Sequence, residues 1–131
     1  MTNWRWLDPR LAAALHNEQI AEHGGAEGLR DEGLLTSALS RPQNLASYGE
    51  PDIADLAAAY AWGIVRNHPF VDGNKRVALI LCETFLAING YELDVEDLPL
   101  TMTFLDLAAG KIDEAALAAW LRVKIVASEQ P

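Results

Sequence analysis

His68-Pro69-Phe70-Val71-Asp72-Gly73-Asn74-Lys75-Arg76 interrupts two apolar helical stretches, and the reading of that interruption decides the fold. Before it, Asp52 has the residue type of a helix N-cap, and a helix is expected to run to about Asn67. Ile53, Leu56, Ala57, Tyr60, Ala61 and Ile64 share one broad face of it, and Trp62 and Val65 widen that face. After the interruption, a second helix is expected from about Lys75 to Asn89, with Gly90 ending it. Its run 77–82 is apolar on every side, the pattern of a helix buried at the centre of a domain.

Working outward, the same signals recur. Asp8 before Pro9 marks a helix start, Leu7, Leu11 and Leu15 lie four apart on one face, and Gly24-Gly25 ends that helix. Asp31 opens a helix carrying Leu34, Leu35, Ala38 and Leu39, which Pro42 is expected to stop. Residues 43–51, with Gly49 and Pro51, read as a polar loop with room for a short flap. Two further helices are expected over 95–109 and 113–127, with Gly110 closing the first and Asp113 capping the second. The tail from Ser128 is expected to fray. The expected fold is all-α: a compact bundle of about six helices in a single domain, 1–131, without repeats or linkers.

Composition narrows the class. Half of the 131 residues are hydrophobic and 22% are charged, which suits a folded core and not a disordered chain. The formal net charge of −9 argues against nucleic-acid binding through the overall field, yet leaves room for a local basic site. The single cysteine, Cys82, lies in an apolar run and reads as a small core residue in a reducing compartment. Neither a signal peptide nor a membrane span is expected, and the location read from this is cytoplasmic. Trp4, Trp6 and Trp120 read as packing residues. His16 and His23 are distant in sequence from residues 68–76 and show no metal-ligand spacing. Glu83 and Glu92 receive no role.

The chemistry concentrates in 68–76. His68 is a residue type suited to take a proton from a hydroxyl. Asp72 offers a hard oxygen to Mg²⁺. Gly73 lets a ligand approach the backbone, and the amides of Gly73, Asn74 and Lys75 at a helix N-terminus form an anion site. Lys75 and Arg76 add charge there, and Arg66 adds more nearby. Three of the ten basic residues thus fall in 66–76 of an acidic chain. Singly, each residue has a bland explanation: Asp72-Gly73-Asn74 is an ordinary turn and cap, and His68 an ordinary structural histidine. A cap, however, needs neither His68 nor Lys75 nor Arg76. Together they supply the parts of phosphoryl or nucleotidyl transfer, which are positioning, a metal ligand and charge stabilisation.

This stretch resembles the Fic signature, His-Pro-Phe-x-Asp/Glu-Gly-Asn-Gly/Lys-Arg, and meets it at every specified position. The small size, Ser40-Arg41-Pro42-Gln43 and Lys75 are similar to the death-on-curing (Doc) toxin branch. The resemblance implies His68 as general base, Asp72 as the Mg²⁺ ligand, phosphate contacts from Gly73, Asn74 and Arg76, Phe70 as a structural anchor, and residues 43–51 as the flap that aligns a target segment. Lys75 stands where enzymes that transfer AMP carry glycine, and Leu79 stands where they carry a second arginine. Both departures imply ATP bound in reverse, with γ-phosphate transfer to a protein hydroxyl. The family-suggested target is a translation factor such as elongation factor Tu. AMP transfer is the alternative, and a degenerate module that only binds nucleotide or antitoxin is the non-enzymatic one. No Ser or Thr is followed by Glu four residues later, so an inhibitory Ser/Thr-x-x-x-Glu helix is absent from the chain. Restraint would then come in trans, from an antitoxin helix lying in an apolar groove.

Overall fold

A computed structural model describes residues 3–129. Six helices and a two-stranded ribbon follow one another: α1 (Pro9–His23), α2 (Glu32–Tyr48), α3 (Ile53–Asn67), α4 (Asn74–Ile88), β1 (Tyr91–Leu93), α5 (Asp97–Ala108), α6 (Glu114–Lys124) and β2 (Ile125–Ala127). The all-α expectation holds.

Four helix starts rest on aspartate caps. Asp8 accepts from the Arg10 amide, Asp31 from Leu34 and Asp113 from Ala116, while Asp52 and Asp55 form a reciprocal capping box at α3. The start of α4 has no such side-chain cap. The core forms around α3, whose Leu56, Ala57, Ala58, Tyr60, Ala61 and Ile64 have no solvent exposure, and around α4, which buries Val77, Ala78, Leu81, Cys82, Phe85 and Leu86. Two sequential helices thus share the centre, and the loop between them is held from both sides. Trp4, Trp6 and Trp120 pack against this core, with Trp6 stacked on Phe85. Burial pushes the Cys82 thiol far up, as befits a core residue.

Three expectations about element ends are corrected. First, Pro42 does not stop α2, which continues to Tyr48 and absorbs most of the expected loop 43–51. Proline removes one amide from the helix ladder, at a cost of about 3 kcal/mol. Packing offsets this, because Leu35, Ala38, Leu39 and Pro42 all face inward. At Gly63 the helices α2 and α3 come so close that an added Cβ would lie 3.0 Å from the Ala38 Cα. No flap strand forms there. Second, the last helix stops at Lys124. Ile125 and Val126, both β-branched, enter an antiparallel ribbon in which Leu93 faces Ile125, Glu92 faces Val126 and Tyr91 faces Ala127. Third, Ser128, where fraying was expected to begin, is tied down, its amide donating to the Gly90 carbonyl at 2.9 Å; residues 130–131 of that tail lie outside the described residues. No helix among the described residues is long and apolar enough to cross a membrane.

Candidate functional site

The loop between α3 and α4 begins with a backbone reversal. His68 ends α3 in the left-handed conformation (φ 52°, ψ 54°), the one non-glycine residue with positive φ among those described. Such a residue persists where its surroundings hold it. Here the holder is the segment after α1. Arg30 places its guanidinium on two carbonyls, Nε donating to His68 (2.7 Å) and Nη2 to Asn67 (2.8 Å). The amides of Arg30 and Asp31 both donate to the Pro69 carbonyl, Val71 donates to Gly28, and Leu29 bridges Phe70 in antiparallel fashion. Residues 24–31 therefore lie along the loop and brace it.

Within the loop, two side chains turn inward. Phe70 is buried and stacks on the ring of His16, centroids 4.0 Å apart and planes 6° from parallel. Asn74 is buried as well, and its carboxamide is a staple. Its Oδ1 accepts from the Phe70 amide (3.1 Å) and its Nδ2 donates to the Phe70 carbonyl (2.9 Å). Those two contacts define which end of the amide is which. The Nδ2 also lies 3.1 Å from Nδ1 of His68, which therefore accepts from it. The Nε2 of His68 is the nitrogen left to a ligand. A phosphate at the start of α4 would meet the Asn74 backbone amide, since its side chain is already committed.

The outward-facing groups form the site. Oδ1 of Asp72 accepts from the Gly73 amide (2.8 Å) and Oδ2 from the Ala26 amide (3.3 Å). Those two amides, then Arg76 and His16, hold its carboxyl below the usual carboxylate range, so it is ionised at neutral pH. Gly73 is also left-handed (φ 80°) and opens α4 with uncapped amides. Nη2 of Arg76 donates to the Gly24 carbonyl at 3.1 Å. Gly25 lies so close that a Cβ there would meet Asp72 Oδ2 at 2.7 Å and Arg76 Nη2 at 3.3 Å.

His68, Asp72, Gly73, Asn74, Lys75 and Arg76 all line one cavity of about 920 Å³ between the start of α4 and the flank of α5. Met102 and Leu105 make the α5 wall apolar, Leu79 of α4 continues that lining, and Lys111 adds a third cation to the cavity. Of the seven residues expected in the site, six are brought together. Arg66 is not: it stacks over Trp62 and lines a separate cleft of about 460 Å³ with Arg41 and Tyr48. In that cleft Arg41 is already engaged by both carboxylate oxygens of Glu114.

The donor set fits a magnesium–nucleotide complex. Among the described residues no cluster of three or more His, Cys, Asp or Glu could cage a metal alone. A single exposed carboxylate beside uncapped amides suits Mg²⁺, which keeps waters and shares phosphate oxygens. Asp72 would hold the ion, and the α4 amides, Lys75 and Arg76 the phosphates.

The Fic/DOC family model matches residues 6–86. A protein of Escherichia phage P1 named Protein kinase doc is 34% identical over 120 residues, covering 90% of this chain and 94% of that protein. The chain belongs to the Fic/DOC family. A second relative, Toxin Doc of Mycolicibacterium smegmatis, is 48% identical over 73 residues, covering 53% of this chain and 55% of that protein. The Fic/DOC match begins in the N-terminal segment and takes in both the 24–31 brace and the 68–76 loop.

Three residues of the site escaped the sequence reading. His16 had a signal: Ala12, His16 and Ile20 form the buried row of α1, one position away from the Leu7/Leu11/Leu15 row. Arg30 and Lys111 had none, because their roles come from how distant segments meet.

Proposed function

We propose that this protein is the toxin of a toxin–antitoxin pair, and that it transfers the γ-phosphate of ATP to a hydroxyl of another protein. The observation that carries this reading is the convergence of His68, the ionised Asp72 and the uncapped, doubly basic start of α4 on one cavity. The names of the two relatives, a protein kinase and a toxin, support it. Magnesium held by Asp72 would supply charge neutralisation to the phosphates. His68 handles the proton of the target hydroxyl at Nε2. With Nδ1 accepting from Asn74, the neutral ring carries its proton on Nε2, so accepting another there first requires a change of tautomer and loss of the Asn74 contact.

Two features favour phosphate over nucleotide transfer. Lys75 occupies the cavity edge with a long cation where AMP-transferring relatives have glycine. Leu79, at the position of their second arginine, makes that wall apolar. The target is proposed to be a translation factor such as elongation factor Tu. Restraint is proposed to come from an antitoxin helix. Leu98, Met102 and Leu105 present an exposed apolar row on α5, and the latter two reach the cavity.

ATP labelled at either the γ- or the α-phosphate, added with the protein to a cell lysate, tests the reading. Label passing to a protein from γ-ATP alone, and not with His68→Ala, supports it. Label from α-ATP would replace it with AMP transfer, and no label from either would leave only a binding module.

A further inference from the structure

His16 is 2% exposed, on the first helix and 56 residues from the loop it touches. Burying an imidazole is unfavourable unless its polar atoms are satisfied. A phenylalanine would stack on Phe70 equally well and carry no such requirement. What histidine adds is a donor. Its Nε2 lies 2.7 Å from the carbonyl oxygen of Asp72, and a carbonyl only accepts, so Nε2 carries a hydrogen.

That bond has a geometric consequence. In a trans peptide the C=O and the following N–H point in opposite directions. Holding the Asp72 carbonyl toward α1 turns the Gly73 amide away from α1. There it meets Asp72 Oδ1 at 2.8 Å and helps keep the carboxylate ionised and aimed outward. The ring also passes beside Gly73, where an added Cβ would lie 3.7 Å from His16 Cδ2. One buried side chain thus sets the plane of the peptide that joins the carboxylate to the uncapped start of α4.

We infer that His16 is a positioning residue for the metal and phosphate end of the cavity, acting through the Asp72–Gly73 peptide. The inference rests on reading that cavity as a magnesium–nucleotide site. His16 touches neither ligand nor reacting atoms. Its contribution is to make the carboxylate and the amide edge present together before a ligand arrives, as the partners of metal ligands do elsewhere.

The test measures Mn²⁺ binding in the presence of a non-hydrolysable ATP analogue, by electron paramagnetic resonance, so that turnover plays no part. His16→Phe keeps the stack and removes the donor, and His16→Gln keeps a donor and removes the ring. Thermal unfolding reports whether each folds. The expected result is that folded His16→Phe binds Mn²⁺–nucleotide about 10- to 100-fold more weakly, with His16→Gln recovering part of the loss. A folded His16→Phe that binds as tightly as the unaltered protein overturns the inference and leaves the nucleotide site standing. Failure of the unaltered protein to bind Mn²⁺–nucleotide overturns both. A measurement free of substitution stands beside these: the Nε2–H of His16 in the side-chain ¹H–¹⁵N spectrum should exchange slowly with water. Fast exchange at that nitrogen refutes the bond on which the inference depends.

Discussion

Replacing Gly25 by alanine should damage the site through a single methyl group. Gly25 has φ +119°, a region that L-residues avoid at a cost of about 1–3 kcal/mol. Its new Cβ would lie 2.7 Å from Asp72 Oδ2 and 3.1 Å from Ile20 Cδ1. An ordinary contact begins near 3.4 Å, so the carboxylate must retreat by roughly half an ångström or more. The retreat stretches the already long Ala26 amide bond to Oδ2. The backbone strain of about 1–3 kcal/mol lowers the melting temperature of a domain of this size by roughly 5–10 °C. Because the retreating group is the proposed metal ligand, activity should fall at least tenfold at temperatures where the protein remains folded. Gly24→Ala is the control. Gly24 also has positive φ (+79°), yet its added Cβ would have nothing within 4 Å. It should lose stability and keep activity. Calorimetry together with phosphate transfer at 20 °C reads both. Equal activities in the two folded variants would refute the argument that the 24–31 segment sets the position of Asp72.

Other outcomes follow from the same structure. Gly63→Val should cost about 1–3 kcal/mol by forcing α2 and α3 apart at Ala38, visible as a lower urea midpoint. Arg30→Met should release the Asn67 and His68 carbonyls, lowering stability by about 1–2 kcal/mol and kcat more than KM, because the reversal at His68 loses its brace. Asp52 is held down to about 2, first by its hydrogen bond from Arg122 and further by the Asp55 amide, with burial opposing. Its folded pKa lies below the unfolded one. Its stabilising contribution is therefore full above about pH 4 and lost as pH falls toward 2. Asp52→Asn should flatten the acid limb of a stability–pH curve in that window; an unchanged limb would remove Asp52 as a contributor.

Much of this architecture was legible because its signals are local. Aspartate caps at Asp8, Asp31, Asp52 and Asp113 and the apolar faces of α3 and α4 need no tertiary context, and 68–76 announces itself through residue types in a fixed order. What escaped depends on contacts between distant segments. Pro42 reads as a stop until the close approach of Gly63 to Ala38 shows what compensates the missing amide. Ile125 and Val126 read as the end of a helix until β1 offers them a partner. Arg66 is close to the motif in sequence, yet it sits two residues before the reversal at His68 and faces the other cleft. His16 lay one position off the row chosen for α1, and Arg30 became a brace only once residues 24–31 folded back on the loop.

The most direct test uses purified protein, Mg²⁺ and ATP with purified elongation factor Tu, followed by the intact mass of the factor, with His68→Ala alongside. A phosphate-sized gain that disappears with His68→Ala is the predicted result. A gain the size of AMP, or a phosphate gain that survives in His68→Ala, would contradict the central claim that His68 and the Lys75-bearing start of α4 together direct phosphate transfer.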